Sequence, residues 1–420
     1  MILLSDELLQ QLIAVGQVDI LVGVPTLDNA GTIGPVVGAI HRSFATDLRR
    51  ERTVLLNCDG GSRDGTPDIV RGASLREDET LIASQSLRTI HRITAPYHGL
   101  PGKGTALRTF FAAAELLQAR AIAVFDPDVT SLTPDWVSRL VRPLLAGRAA
   151  FVAPLFARHP REGLLVTQLV RPLFRAAYGY RVREPLASEF ACSGAFASHC
   201  LAQDVWESPL ARYGIDLWLT GTALSGGFSC AEAPLARRVL GPGAPRPGLP
   251  QVFRQVAGSL FACLEAQAPF WLPRAGSSPL SVLGSEPDAP LEHATVDPLP
   301  MIDAFRAGVR DLAPILEPIL GSDTMAVLLA SAAAERLDFR FPDAAWATTV
   351  IRAAAAHKNG MLHREHLVQA LVPLYLGRAA SFLLESSGRD LRLVEGRLED
   401  LCLEFEAQKP QLVGRWMGEK

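Results

Sequence analysis

Apolar residues in the first 150 positions fall into short continuous runs, separated by stretches with helical spacing. Residues 18–24 read as a first strand, stopped by Pro25, and 32–49 fit a helix. A second strand covers 53–58, and the polar turn 59–65 leads into a helix from Thr66, with Pro67 suited to its first turn. A third strand falls near 89–93, a helix at 103–117 and a fourth strand at 121–125. Runs that are continuous rather than alternating are typical of parallel strands buried on both faces. The β-α-β-α-β alternation predicts an α/β fold with a doubly wound, mostly parallel sheet.

Beyond Phe151 the pattern is mixed, with helical segments near 164–177 and 252–266. Residues 272–300 are rich in Pro, Gly and Ser and lack periodicity, as a linker or long loop does. From Met301 to Trp416 the spacing is helical: Met301, Phe305, Val309 and Leu312 share one face, as do Leu391, Val394, Leu398, Leu401 and Phe405. The expected division is a catalytic α/β domain over 1–270, a linker over 271–300 and a helical C-terminal domain over 301–420. The chain contains no internal repeat.

Composition narrows the classes. A 420-residue chain with 48% hydrophobic residues and a formal charge of −3 is that of an ordinary soluble globular protein. It has no basic surplus for nucleic acid and no polybasic run for an anionic membrane. The first 16 residues lack the charged n-region and cleavage site of a secretory signal, and no window reaches the ~18 uncharged apolar residues of a membrane span. The six cysteines are scattered, never spaced as a zinc site, and are expected to be reduced, buried and inert. The expectation is a cytoplasmic protein with neither nucleic acid nor membrane as partner.

The fourth strand ends in Asp126-Pro127-Asp128. Carboxylates at the C-terminal end of a strand lie where open α/β sheets bind ligands. In an extended backbone the two would point to one side. They are then either a helix-capping turn or hard oxygen ligands for Mg2+ or Mn2+, a metal usually completed by substrate phosphates. Three further elements are expected on the same sheet edge: Pro25-Thr26-Leu27-Asp28-Asn29, Asp59-Gly60-Gly61-Ser62, and Gly99 to Thr105 with Lys103. Asp28 and Asp59 suit hydrogen bonds from a base or ribose, and Lys103, at a helix N-terminus, suits a uracil carbonyl or a phosphate. The Walker spacing is absent, as is the GxGxxG fingerprint. A nucleotide-sugar site accounts for the whole order of elements.

Taken in order, Pro-x-Leu-Asp-Asn, Asp-Gly-Gly-Ser-Arg-Asp-Gly-Thr, Pro-Gly-Lys-Gly-x-Ala-Leu and Asp-Pro-Asp resemble retaining glycosyltransferases of the A-type fold that make compatible-solute glycosides. That group comprises glucosyl-3-phosphoglycerate, mannosylglycerate and glucosylglycerate synthases. The resemblance continues through residues 166–173, 184–190 and 213–216, and the tail around 373–378 looks like the longer glucosylglycerate branch. It implies that Pro25, Leu27, Asp28, Ser62 and Lys103 hold the nucleotide, with Asp28 near the ribose. Asp128 would bind the metal and Asp126 support the nucleotide end. Glu189 would lie by the sugar, Asp216 would place the acceptor, and Thr167 would bind it. The tail would serve the acceptor side or a homodimer interface.

This chain departs from the group at several positions. Asp28-Asn29 stands where the group has Asn-Glu, and Ala187-Ser188 where it has Gly-Gly. Leu164 and Leu165 stand where phosphoglycerate enzymes place Gly-Arg to grip the acceptor phosphate; apolar groups there argue for plain glycerate or another uncharged or monoanionic acceptor. Leu240 takes the position of the third metal ligand, a His. Arg237 and Arg238 are open to two readings, neutralising a diphosphate or lying in solvent, as Arg158 and His159 are to contact with phosphate or acceptor. His363 and His366 are expected at the surface or between helices, and Trp346 and Tyr375 in the helical core or at a subunit interface. The expected activity is metal-dependent transfer of glucose from a nucleoside-diphosphate glucose to D-glycerate, with retention of configuration.

Overall fold

The computed structural model describes residues 4–72, 91–96, 103–242, 248–287 and 296–418. Its strands are β1 (Ile20–Thr26), β2 (Thr53–Asp59), β3 (His91–Pro96), β4 (Ala121–Val124), β5 (Phe151–Phe156), β6 (Tyr180–Arg181), β7 (Phe190–Ser193), β8 (Cys230–Leu235), β9 (Ser278–Pro279) and β10 (Ser281–Val282). Eight of them form one sheet in the order β10-β8-β5-β7-β4-β1-β2-β3, while β6 pairs separately with β9. Neighbours in the large sheet run parallel except at β7, which is antiparallel to both β4 and β5. Of the third expected strand, residues 89–90 lie outside the described residues, as do Gly99 to Gly102 of the stretch from Gly99 to Thr105.

Pro25 does not stop the first strand, which continues to Thr26. The β4 ladder ends at the Gly23–Val124 pair, and the Phe125 N–H donates to the Gly23 carbonyl. Alternate residues face the same neighbour, so the N–H that Pro25 lacks would point to a side where no ladder remains. β2 is buried at all seven positions, polar Asn57 and Asp59 included, as a strand covered on both faces is. On one face Ile20, Val22 and Val24 pack in a single core with Val36, Val37 and Ile40 of the Ile33–Thr46 helix and Trp136, Val137 and Leu140 of the Pro134–Leu145 helix.

The chain divides into two compact units, and not at a single point near residue 270. One comprises Met1–Ala157, Leu186–Arg246 and Leu280–Ala289 and contains the large sheet; the other comprises Arg158–Pro185, Pro247–Pro279 and Pro290–Lys420. The expected linker is thus partly built into both: β9 belongs to the helical unit, and β10 adds an edge strand to the sheet. Contiguity in sequence did not reveal this, because two-residue strands carry no periodicity.

In the helical unit the Arg364–Ser386 helix is central. Trp346 and Tyr375 are fully buried, Tyr375 stacks on Phe253, and Arg378 pairs with Asp343 at 2.6 Å. This helix and Ala313–Ala333 are long and apolar enough, by length and composition, to cross a membrane, which the sequence reading did not anticipate. The first is mostly buried among its neighbours, and the second is broken at Gly321, whose φ is 75°. The six cysteines are free; five are buried and Cys230 is partly so.

Candidate active site

Parallel pairing aims the C-terminal ends of β1, β2, β4, β5 and β8 at one sheet edge. Antiparallel β7 begins there, so Glu189, just before it, arrives at the same edge as Asp126 and Asp128 after β4 and Arg238 after β8. Lys103 opens the Lys103–Leu116 helix, and Asp216 lies in the first turn of Ile215–Ser225.

These groups form a coupled network. The Arg238 Nε donates to both Glu189 carboxylate oxygens at 3.0 Å, and its Nη2 to Asp126 Oδ2 at 3.0 Å. The Lys103 ammonium donates to Asp216 Oδ1 at 2.6 Å and to the Ser188 carbonyl at 2.9 Å. Glu189 is completely buried, and burial pushes its carboxyl above the usual range; Arg238 and Lys103 pull it back, while Asp126 opposes them. Asp216 is likewise raised by burial, against the pull of Lys103. Three carboxylates thus share two cations, and Asp128 adds a fourth carboxylate at the same edge; the excess negative charge makes the edge receptive to a further cation.

Asp126 and Asp128 have different partners. Strand β4 ends at Val124, and Asp126 Oδ1 accepts the Asp128 N–H at 2.9 Å, so the first carboxylate caps the turn as well as binding Arg238. Asp128 Oδ1 accepts from Asn29 Nδ2 at 2.9 Å and from Thr32 Oγ1 at 2.7 Å. No group of three or more His, Cys, Asp or Glu among the described residues is placed to hold a metal. The donor set still fits one in a restricted sense: Asp128 is oriented through one oxygen, and a hard cation would need substrate oxygens to complete it. Leu240 contributes no ligand. It forms an antiparallel bridge with Val129, next to Asp128, and packs on the apolar core.

The nucleotide candidates lie on the β1 and β2 loops. Asp28, with φ at 54°, donates its N–H to Ser62 Oγ at 2.9 Å and accepts from the Arg63 N–H at 2.8 Å. Asp59 is buried and committed to its own loop, accepting from Thr26 Oγ1, Ser62 Oγ and the Gly61 and Ser62 N–H groups. It therefore shapes the loop through both oxygens. Leu27 exposes 52% of its surface, and Pro25 is partly exposed beside it. Gly104 lets the Lys103 helix approach closely: a Cβ there would lie 2.3 Å from the Ala211 carbonyl oxygen.

Sequence reasoning left Arg238 undecided and gave Asn29 and Thr32 no role toward Asp128. The signal available for Arg238 was its position just past a strand on the same edge. Thr167 belongs to the helical unit, in a π-helical turn (Val166–Val170) whose irregular hydrogen bonding often marks functional sites. Its hydroxyl is buried without a hydrogen-bond partner among the described residues. In the same unit Arg158 pairs with Glu184 at 3.0 Å, and His159 accepts from the Arg161 N–H. His363 and His366 are exposed.

No family model and no curated protein sequence matches the chain. Among solved structures, it is similar to glucosyl-3-phosphoglycerate synthase from Mycobacterium tuberculosis. The complex of that enzyme with phosphoglyceric acid, and its complex with Mn2+, uridine diphosphate and glucosyl-3-phosphoglycerate, each align at 20% identity. Both alignments cover 63% of this chain and 85% of that one, with a TM-score of 0.45. The crystal structure of a mycobacterial protein aligns at 22% identity over 62% of this chain and 78% of that one, also with a TM-score of 0.45. The enzyme named in the first two belongs to the group that the motifs resemble.

Proposed function

We propose that the chain is a retaining glycosyltransferase that moves glucose from a nucleoside-diphosphate glucose to D-glycerate. The observation that carries this reading is the convergence of Lys103, Asp126, Asp128, Glu189, Asp216 and Arg238 on one sheet edge. The beginning of the Lys103 helix and the exposed Leu27 offer surfaces for a nucleotide beside acidic groups for a sugar. Mg2+ or Mn2+ held by Asp128 and the diphosphate would neutralise charge on the leaving group. Asn29 and Thr32 orient that carboxylate. Arg238 holds Glu189 and Asp126 in fixed positions, and Glu189 and Asp216 orient donor and acceptor hydroxyls. The acceptor hydroxyl loses its proton to the departing phosphate oxygen, so the reading requires no dedicated base.

Glycerate is favoured over phosphoglycerate by the residues at 164–165. Leu164 packs against Phe382, Val394 and Leu398, an apolar setting that does not compensate a phosphate dianion. A second reading, a nucleotide-sugar-binding protein with impaired turnover, is favoured by Leu240, which supplies no metal ligand beside Asp128. The test is release of nucleoside diphosphate from UDP-glucose or GDP-glucose with Mg2+ or Mn2+, in the presence of D-glycerate, 3-phosphoglycerate or no acceptor. Release that needs both glycerate and metal supports the synthase. Donor binding without release under every acceptor favours the second reading, and a β-linked product rules out retention.

A further inference from the structure

In the helical unit two arginines face one cavity. Arg352, from the Asp343–Asn359 helix, and Arg415, from the last turn of Lys409–Met417, line a space of about 190 Å³ with Asn359, Ile319 and Pro318. That exceeds a cavity of about 150 Å³ known to admit benzene. Neither guanidinium has an ion pair among the described residues. Arg352 Nη1 makes one long hydrogen bond, 3.3 Å to Thr324 Oγ1, and its Nε is buried with no partner. The nearby main chain is shaped to admit this side chain. The Ala313–Ala333 helix breaks at Gly321, where a Cβ would lie 2.6 Å from Arg352 Nη1.

Two like charges at a half-buried cavity are unfavourable unless something compensates them. Burial pushes the Arg352 guanidinium below its usual range and Arg415 pushes it further, with Asp323 the opposing charge. Arg415 alone has a bland explanation, since a cation in the last turn complements the helix dipole. Arg352 lies mid-helix and has no such explanation. Two guanidiniums lining one cavity offer the forked N–H donors that suit the oxygens of a tetrahedral oxyanion.

From this geometry we infer that the cavity is a binding site for a small phosphate-bearing molecule, held between Arg352 and Arg415 with Asn359 as a neutral contact. The occupant relieves the repulsion between the two cations, so binding couples to the packing of three helices.

Thermal unfolding of the full chain tests this in phosphate-free buffer, in inorganic phosphate, in glycerol 2-phosphate and in acetate, with ionic strength matched by chloride. Phosphate at well above its Kd raises the wild-type Tm by about 2–4 °C, and acetate does not. A larger rise with glycerol 2-phosphate identifies a monoester rather than the free ion as the better occupant. The R415Q and R415E variants lose the phosphate response. No wild-type shift, or a shift of equal size in the variants, would overturn the inference.

Discussion

Replacing Arg238 with Met removes three charge-assisted contacts, two to Glu189 and one to Asp126. Glu189 has no exposed surface, so water cannot take the place of the guanidinium. Breaking a buried pair by deleting one member costs about 3–5 kcal/mol. Arg238 and Asp126 are 21% and 23% exposed, which puts the expected loss near the lower figure, ~3 kcal/mol. The loss depends on pH, with a definite sign. Burial holds the Glu189 carboxyl above the ordinary value, and Arg238 is the strongest influence pulling it down. Without Arg238 it rises further. Between the unfolded value of about 4.3 and the raised folded value, the native state binds more protons than the unfolded chain. Stability therefore falls as pH climbs through that interval, and the interval is wider in the variant. Urea midpoints of metal-free protein near pH 5 and pH 8 should show a small deficit at the acid end and most of the loss at the alkaline end. Adding Glu189→Gln to Arg238→Met should restore the larger part of the loss at pH 8, since no buried charge then remains there. A deficit equal at both pH values, with no rescue by the second substitution, would refute the account of Arg238 as the counter-charge of Glu189.

Three further outcomes are expected. Asp128→Ala should weaken Mg2+-dependent binding of UDP-glucose by about tenfold or more, measured by calorimetry, with an unchanged far-ultraviolet dichroism spectrum; unaltered affinity would remove Asp128 from the metal site. Gly104→Ala, whose Cβ would meet the Ala211 carbonyl at 2.3 Å, should cost about 1–3 kcal/mol of stability in urea unfolding. An unchanged midpoint would show that the Lys103 helix is not held so closely. Leu165→Arg should raise kcat/KM for 3-phosphoglycerate relative to glycerate by roughly tenfold, the worth of one charge-assisted hydrogen bond. No gain would displace Leu165 from the acceptor site.

Much of the candidate site was legible as positions. The loop after β1, the Asp59 turn, the Lys103 helix start and the Asp126–Asp128 pair all sit at element ends, and element ends are marked by local pattern. What each side chain does there was not legible. Asp59, expected to meet a nucleotide, also accepts from Thr26, Gly61 and Ser62. Arg238 looked equally like a solvent residue, and its partners are Glu189 and Asp126, 49 and 112 positions away.

By itself, the sequence determined β1 to β4, the helices between them and their parallel character. Strand and helix periodicities are local and are written in consecutive side chains. Tertiary structure alone decided that antiparallel β7 lies between β4 and β5, that β10 joins the sheet, and that 158–185 and 247–279 belong with the helical tail. It also decided which charges meet. Lys103 finds Asp216 113 positions on, and Glu189 finds Arg238, because the topology carries separate loops to one edge. A buried charge is tolerable only beside its counter-charge, and no periodicity in the chain records which loops will become neighbours.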